Sequence, residues 1–418
     1  MRSATKGPVG HPHILLAEMT VVDRIVNVAD ARRFARRNVI RSIFDYVDGG
    51  AEDDVTKAAN ERAFRRFSFR PRAGVSVPHP ELETTVLGLP VSMPIILAPC
   101  GLVQLMHRDG VLGVTRAAHQ AGTISALSTF AGAAPEDLAS EPGPRWFQLY
   151  ATDRDMALDL MARASASNFD ALVVTMDSPT AGKRDQDIRN GSAAGLTFNA
   201  RTIVKFAPQV LARPRWLLSG LKSSIETITS GETRRVPGGS GAPNIPKRSS
   251  PKGRTSQWNP ADHDPVRISP FTWDDVAWIR QQWSGPFVVK SILSADDARS
   301  CVEAGADAVI VSNHGGRQLE STPSSLSVLP EVVAAVGSQV EVLMDGGVRR
   351  GGDALKAIAL GARAVLIGRP YLYGLMAAGE EGVLRILRIM YEDMARTMVL
   401  MGCQKVTDLD PSWLRMEV

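Results

Sequence analysis

The sequence predicts a (β/α)8 barrel with an N-terminal helical extension and a long insertion after the fourth strand. Three observations predict it. Eight short apolar runs recur along the 418 residues, helical periodicity fills most gaps between them, and nearly every run ends in polar or glycine residues. Strands alternating with helices imply parallel strands joined by crossovers. Eight such units suggest a closed barrel rather than an open, doubly wound sheet.

In chain order the runs are Pro94–Cys100, Thr123–Thr129, Arg145–Ala151, Ala171–Asp177, Pro286–Ile292, Ala308–His314, Glu341–Gly347 and Ala364–Pro370. Helical patterns cover Asp153–Asn168, Ala295–Ala304, Gly352–Leu360 and the long Gly379–Met401. The fourth and fifth runs are separated by far more chain than a crossover needs, so the fourth connection carries an insertion. It leaves the barrel on the face where active sites sit, and part of it is positioned to act as a lid. Residues 1–24 read as a flexible N-terminus, 25–403 as the barrel domain and 404–418 as a C-terminal tail. Within the insertion, residues 230–265 are rich in Gly, Pro, Ser and basic side chains. That segment reads as a solvated loop, or alternatively as a membrane-surface or partner-docking element.

Composition narrows the class. An apolar fraction of 44% supports a large core. No run of about 18 apolar residues suggests a transmembrane helix, and Met1–Pro12 has no apolar stretch of the signal-peptide kind. The three cysteines, Cys100, Cys301 and Cys403, are far apart. They argue against a zinc site or disulfide framework and for a reducing compartment. The expected location is the cytoplasm, with a peripheral position on the inner face of the membrane as the variant. A net charge of +4 is too mild to imply nucleic acid and is compatible with an anionic cofactor or substrate. No metal site is expected.

The chemistry is read from the strand ends. They carry Cys100-Gly101, Ser128-Thr129, Gln148 and Tyr150, Thr175 and Asp177, Lys290, Ser312-Asn313-His314, Asp345-Gly346-Gly347 and Gly368-Arg369. In a barrel these ends meet on one face. Ser128 and Thr129 fit the ordinary role of helix caps. Lys290 and His314 do not, because a strand buried on both sides tolerates such groups only when they are paired or used. The turns Asp345-Gly346-Gly347-Val348-Arg349 and Gly368-Arg369 combine glycines, helix starts and arginines, which suits a phosphate after strands seven and eight. His314 is a candidate base at neutral pH, Asp177 the anion for its imidazolium, and Arg317 a nearby cation. Arg184, just beyond a strand end, suits bidentate recognition of a carboxylate.

The stretches Ser312-Asn313-His314-Gly315-Gly316-Arg317-Gln318-Leu319, Asp345-Gly346-Gly347-Val348-Arg349-Arg350-Gly351 and Gln148-Leu149-Tyr150 resemble the FMN-dependent α-hydroxy acid oxidase and dehydrogenase family. So do Phe44–Asp53 and Phe69-Arg70-Pro71-Arg72. The resemblance runs from about Ile25 to Cys403. It implies FMN as cofactor and oxidation of an L-2-hydroxy acid to the 2-keto acid. It also implies reoxidation by oxygen or by a quinone or protein acceptor, and a homotetramer. By position it makes His314 the base, with Asp177 holding it, and gives Lys290 the negative charge of the reduced flavin to stabilise. Tyr46, Arg184 and Arg317 would bind the substrate carboxylate, and Tyr150 its hydroxyl. Pro99, Cys100, Gly101, Ser128, Gln148, Thr175 and Ser312 would meet the flavin; Asp345, Gly346, Gly347, Arg349, Gly368 and Arg369 would meet its ribityl chain and phosphate.

Several residues depart from the usual pattern. Cys100 stands where threonine is common, Ser291 where glycine is common, Glu320 for aspartate and Lys183 for arginine. Phe130 and Ala181 replace the larger tryptophan and leucine of glycolate oxidase, and Gly101 resembles the mandelate dehydrogenase type. These last changes predict a substrate bulkier than glycolate. Two rival readings are a different flavin reaction on the same barrel and a non-catalytic flavin-binding protein. Both arginines and the intact substrate cluster speak against them.

Overall fold

The computed structural model describes residues 20–190 and 271–417. All eight anticipated strands form: β1 (Ile95–Leu97), β2 (Ser125–Ser128), β3 (Arg145–Leu149), β4 (Ala171–Thr175), β5 (Phe287–Ile292), β6 (Ala308–Val311), β7 (Glu341–Asp345) and β8 (Ala364–Ile367). They pair in chain order, all parallel, and β8 pairs back onto β1 to close the barrel. The helices are α1 (Val28–Asn38), α2 (Arg41–Asp48), α3 (Val55–Ala63), α4 (Gly110–Gln120), α5 (Arg154–Ala166), α6 (Asp185–Asn190), α7 (Trp273–Gln282), α8 (Ala295–Glu303), α9 (Ser325–Val336), α10 (Gly351–Ala359) and α11 (Arg369–Met401). The first three form the N-terminal extension.

The pleat decides what faces the barrel axis. Side chains alternate along a strand, so residues two apart share a face. Ile96, Ile124, Trp146, Val173, Val288, Ile310, Leu343 and Leu366 pack together as an apolar interior. Their neighbours, such as Leu97, Phe147, Leu172, Val289 and Val365, pack outward under the helices. Two residues further on, toward the C-terminal rim, the inward positions become Gln148, Thr175, Lys290, Ser312, Asp345 and Gly368. The polar strand ends are thus the top layer of the same stack. At the opposite end, a hairpin of Thr84–Val86 and Leu89–Val91 closes the barrel. Val86 and Val91 join the interior cluster, and the Leu87 amide donates to Glu341.

One helix differs from its sequence reading. The periodicity placed the last helix at Gly379–Met401, but α11 begins at Arg369. It breaks at Ala378–Gly379, where Gly379 has φ +64°. Asp109 accepts the Glu380 amide at 3.0 Å and restarts the helix as a cap would. The first turns, Pro370–Ala377, are buried throughout, so they show no amphipathic period. At the C-terminus, Leu414–Met416 pairs antiparallel with Phe67–Phe69. No described helix is long and apolar enough to cross a membrane. Of the flexible start expected over residues 1–24, residues 1–19 lie outside the described residues, as do residues 191–270 of the insertion with its basic segment 230–265.

Candidate active site

A cleft opens at the C-terminal rim of the barrel, with ≈ 1170 Å³ of space including solvent at its mouth. Tyr46, Pro99, Cys100, Gly101, Ser128, Gln148, Tyr150, Arg184, Lys290, His314 and Arg317 line it, with Asp345, Gly346, Gly347, Arg349, Gly368 and Arg369. Thr175, Asp177 and Ser312 stand behind this wall. Thr175 accepts from Gln148 Nε2 at 2.6 Å, and Ser312 accepts from Lys290 Nζ at 2.8 Å. Lys290 is almost fully buried and pairs with Asp345 Oδ2 at 3.0 Å. A buried ammonium needs such a partner. Its partner's other oxygen, Asp345 Oδ1, is buried and has no donor among the described residues.

His314 Nδ1 lies 3.1 Å from Asp177 Oδ1. Burial alone would raise the Asp177 carboxyl, but the charge and hydrogen bond of His314, with the Lys290 ammonium, hold it at about 2. The backbone at His314 is left-handed, φ +57°, and two left-handed glycines follow it. The turn therefore brings the imidazole off the end of β6 toward β4. Nδ1 faces the carboxylate, leaving Nε2 as the nitrogen free for proton transfer.

Two guanidiniums flank the Tyr46 ring, Arg317 at 4.8 Å and Arg184 at 5.8 Å from its centroid. Arg184 Nε donates to Asp187 at 2.7 Å, and Arg317 holds the Tyr46 and Gly49 carbonyls at the end of α2. Phe130 stacks on Tyr150 with centroids 5.0 Å apart, and Ala181 lines the same cleft. A Cβ on Gly101 would stand 2.8 Å from the Tyr46 hydroxyl, so glycine keeps this corner open. Burial pushes the Tyr150 phenol well above its usual range, so it stays neutral.

The far end is cationic. Arg369 donates to the carbonyls of Val47, Gly49 and Gly315, and Arg349 pairs with Glu61 at 2.8 Å. Among the described residues neither Arg317 nor Arg369 has a carboxylate in ion-pair contact. Burial depresses both, Arg369 to about 10. Buried cations satisfied only by carbonyls are suited to an incoming anion. Gly368 caps the start of α11, whose first amides face the same place. Gly346 and Gly347 have φ +96° and +88°, and a Cβ on Gly347 would lie 2.3 Å from the Asn60 carbonyl. This turn is glycine for its conformation and for its contact with α3.

Ser128 and Thr129 are not helix caps. No helix follows β2 directly; Thr129 Oγ1 donates to the Gln148 carbonyl and accepts the Tyr150 amide, tying β2 to β3. Three residues of the site had no role in the sequence reading. Asn60 on α3 exchanges amide hydrogen bonds with Asn313, at 2.7 and 2.9 Å, bracing the His314 turn. Gln318 and Ser178 join that turn to the end of β4. Gln318 stood inside a quoted stretch and Ser178 directly follows the run that ends at Asp177, which was the available signal; Asn60 lies 253 residues from its partner and gave none.

The FMN-dependent dehydrogenase family model matches residues 35–416. A putative L-lactate dehydrogenase of Mycobacterium tuberculosis is 40% identical over 389 residues, 92% of this chain and 88% of that protein. An L-lactate oxidase of Nostoc sp. is 37% identical over 404 residues, 95% of this chain and 100% of that one. Among solved structures, a monotopic membrane protein, (S)-mandelate dehydrogenase, matches with TM-score 0.79 and 33% identity over 94% of this chain and 100% of that one. The residues present fit the family's cofactor: the uncompensated Arg369 suits a phosphate, and the orphaned Asp345 Oδ1 suits a ribityl hydroxyl. The chain belongs to the FMN-dependent dehydrogenase family and is an FMN-dependent oxidoreductase.

Proposed function

We propose that the protein oxidises an (S)-2-hydroxy acid, the L series, to the 2-keto acid. One observation carries this reading. A His–Asp pair, two guanidiniums and two tyrosines converge at one end of a cleft whose other end suits a phosphate. Bound FMN supplies the two-electron acceptor.

The residues divide the remaining work. Arg184 and Arg317, with Tyr46, hold the substrate carboxylate. Tyr150 meets the 2-hydroxyl. His314 takes a proton at Nε2, and Asp177 balances the imidazolium that results. Two hydrogens leave with two electrons: His314 takes one as a proton, from the carbon or from the 2-hydroxyl, and the other would go with the electron pair to the bound FMN. Lys290 is a fixed positive charge at the cleft wall and would stabilise the negative charge that a reduced flavin carries. Phe130, Ala181 and Gly101 leave room for a side chain larger than hydrogen.

The test is spectral. The purified protein is yellow and bleaches anaerobically with at least one (S)-2-hydroxy acid. Full flavin content with no bleaching by any acid, from glycolate to mandelate, would sink the proposal. Recolouring on admission of air marks oxygen as the reoxidant; recolouring only with a quinone or redox protein marks a dehydrogenase. A homotetramer goes with this reading and is checked by mass in solution.

A further inference from the structure

An α-helix leaves its last carbonyls without partners of its own. In α2, which ends at Asp48, the Asp45 carbonyl accepts the Gly49 amide at 2.8 Å. Each later carbonyl is taken by a cation from another element. The Tyr46 carbonyl accepts Arg317 Nη1 at 2.6 Å, the Val47 carbonyl accepts Arg369 Nε at 3.0 Å and the Asp48 carbonyl accepts Lys57 Nζ at 3.1 Å. The Gly49 carbonyl accepts from both arginines, Arg317 Nη1 at 2.9 Å and Arg369 Nη2 at 2.8 Å. The negative end of a helix suits such donors.

The same bonds decide which donors each guanidinium has left. A guanidinium carries five N–H groups in one plane. Arg317 turns Nη1 to the helix, so Nε and Nη2 remain without a protein acceptor among the described residues. Arg369 engages the helix with Nε and Nη2 and the Gly315 carbonyl with Nη1, at 2.8 Å, which leaves one hydrogen on each Nη. Both side chains line the cleft, one at the substrate end and one at the phosphate end. The acceptor they share is the Gly49 carbonyl. A carbonyl orients a buried cation without neutralising it, as a carboxylate would, so the full charge is kept for an incoming anion.

We propose that Gly49 is a positioning residue for both anion sites: its carbonyl, with those of Tyr46 and Val47, aims the unused donors of Arg317 at the substrate carboxylate and those of Arg369 at the FMN phosphate. The inference rests on the 2-hydroxy acid reading above for the carboxylate. A side chain at this position disturbs the arrangement, since a Cβ would stand 2.9 Å from the Asp45 carbonyl and 3.2 Å from Gln186 Oε1.

The test compares each anion with a neutral counterpart. The FMN-to-riboflavin affinity ratio of the apoprotein reads the phosphate end. The affinity ratio of phenylglyoxylate to its amide, measured by calorimetry on protein saturated with FMN, reads the carboxylate end. Gly49→Val forces the end of α2 to move, and both ratios should fall by about fivefold or more, part of one charge-assisted hydrogen bond. A merely structural disturbance weakens charged and neutral ligands alike and leaves the ratios unchanged. Should Gly49→Val fail to fold, Lys57→Met takes its place. It removes the donor from the Asp48 carbonyl and the partner of Asp54, whose other oxygen accepts the Gly50 amide. Both ratios should again fall together. Wild-type ratios in a folded variant, or a fall in only one of them, overturn the inference. A wild type that binds phenylglyoxylate no better than its amide removes the carboxylate site of the proposed function itself, and this inference with it.

Discussion

His314 Nδ1 stands within 3.2 Å of both oxygens of the Asp177 carboxylate, across the tops of β6 and β4. The pair is held by main chain that has little freedom: a left-handed His314, two left-handed glycines after it, and an Asn313 side chain locked to Asn60. His314→Ala should therefore leave the fold and the cofactor site intact. It should slow flavin reduction by about 10²–10⁴-fold, the usual worth of a positioned base. Stopped-flow reduction at the wild-type rate would remove His314 from that role.

Asp177 gives a pH dependence with a definite sign. Its folded value of about 2 lies below the ordinary 3.8. Its ionised form therefore stabilises the fold fully above about pH 4, and the contribution is lost as pH falls through about 2. Wild type and Asp177→Asn, compared by chemical denaturation, should differ above about pH 4 and converge as the pH falls through about 2. A gap that widens in acid would contradict the pairing.

Lys290 and Asp345 form a buried pair in which each partner depends on the other. Lys290→Met leaves the Asp345 carboxylate buried without its cation. The expected cost is about 3–5 kcal/mol of unfolding free energy. Adding Asp345→Asn should recover much of it, because the orphaned charge goes with the second change. Additive losses in the double variant would mean that the two side chains act independently.

Much of this site was legible because barrel geometry converts sequence order into spatial order. Residues two beyond an apolar interior position, such as Lys290 after Val288 and Asp345 after Leu343, must reach the rim whatever else the chain does. The Ser178–Gln318 link was not legible, since a hydrogen bond between loops 140 residues apart leaves no periodic trace. The same holds for the first turns of α11, which are too uniformly buried to show a helical period. Ser291 lies between. It stood out as a departure from glycine, and the structure supplies the reason glycine suits it: φ is +78°, at a shift of register between β5 and β6.

The phosphate end predicts a preference among flavins. Arg369 is buried and, among the described residues, lacks an anionic partner; burial holds it near 10. A phosphate restores the balance that riboflavin cannot. The apoprotein should bind FMN at least about 100-fold tighter than riboflavin, as expected for two or so charge-assisted hydrogen bonds. Arg369→Met should narrow that gap. Mass measurement of the cofactor released on denaturation should return FMN; a dinucleotide would refute this assignment of the cleft.

The proposed function places the limit on substrate size at Phe130 and Ala181, which line the same cleft as Tyr150. Phe130 is anchored by its stack on Tyr150, which leaves Ala181 as the side chain whose volume can change without disturbing the tyrosine. Its neighbour Gly182 cannot shift to compensate. A Cβ there would lie 2.3 Å from the Arg317 carbonyl, so this loop is pinned against the His314 turn. Extra volume at Ala181 must therefore project into the cleft. The wild type should prefer a 2-hydroxy acid with a branched or aromatic side chain over glycolate. Ala181→Leu should reverse the order by removing space for that side chain while leaving the carboxylate and hydroxyl contacts in place. Each methylene lost or gained in such a pocket is worth about 1–3 kcal/mol, so kcat/KM for mandelate should fall by about tenfold or more relative to glycolate. Glycolate, lactate, 2-hydroxyoctanoate and mandelate, assayed side by side in both proteins, decide it. An unchanged ranking would place Ala181 outside the part of the cleft that holds the substrate's side chain.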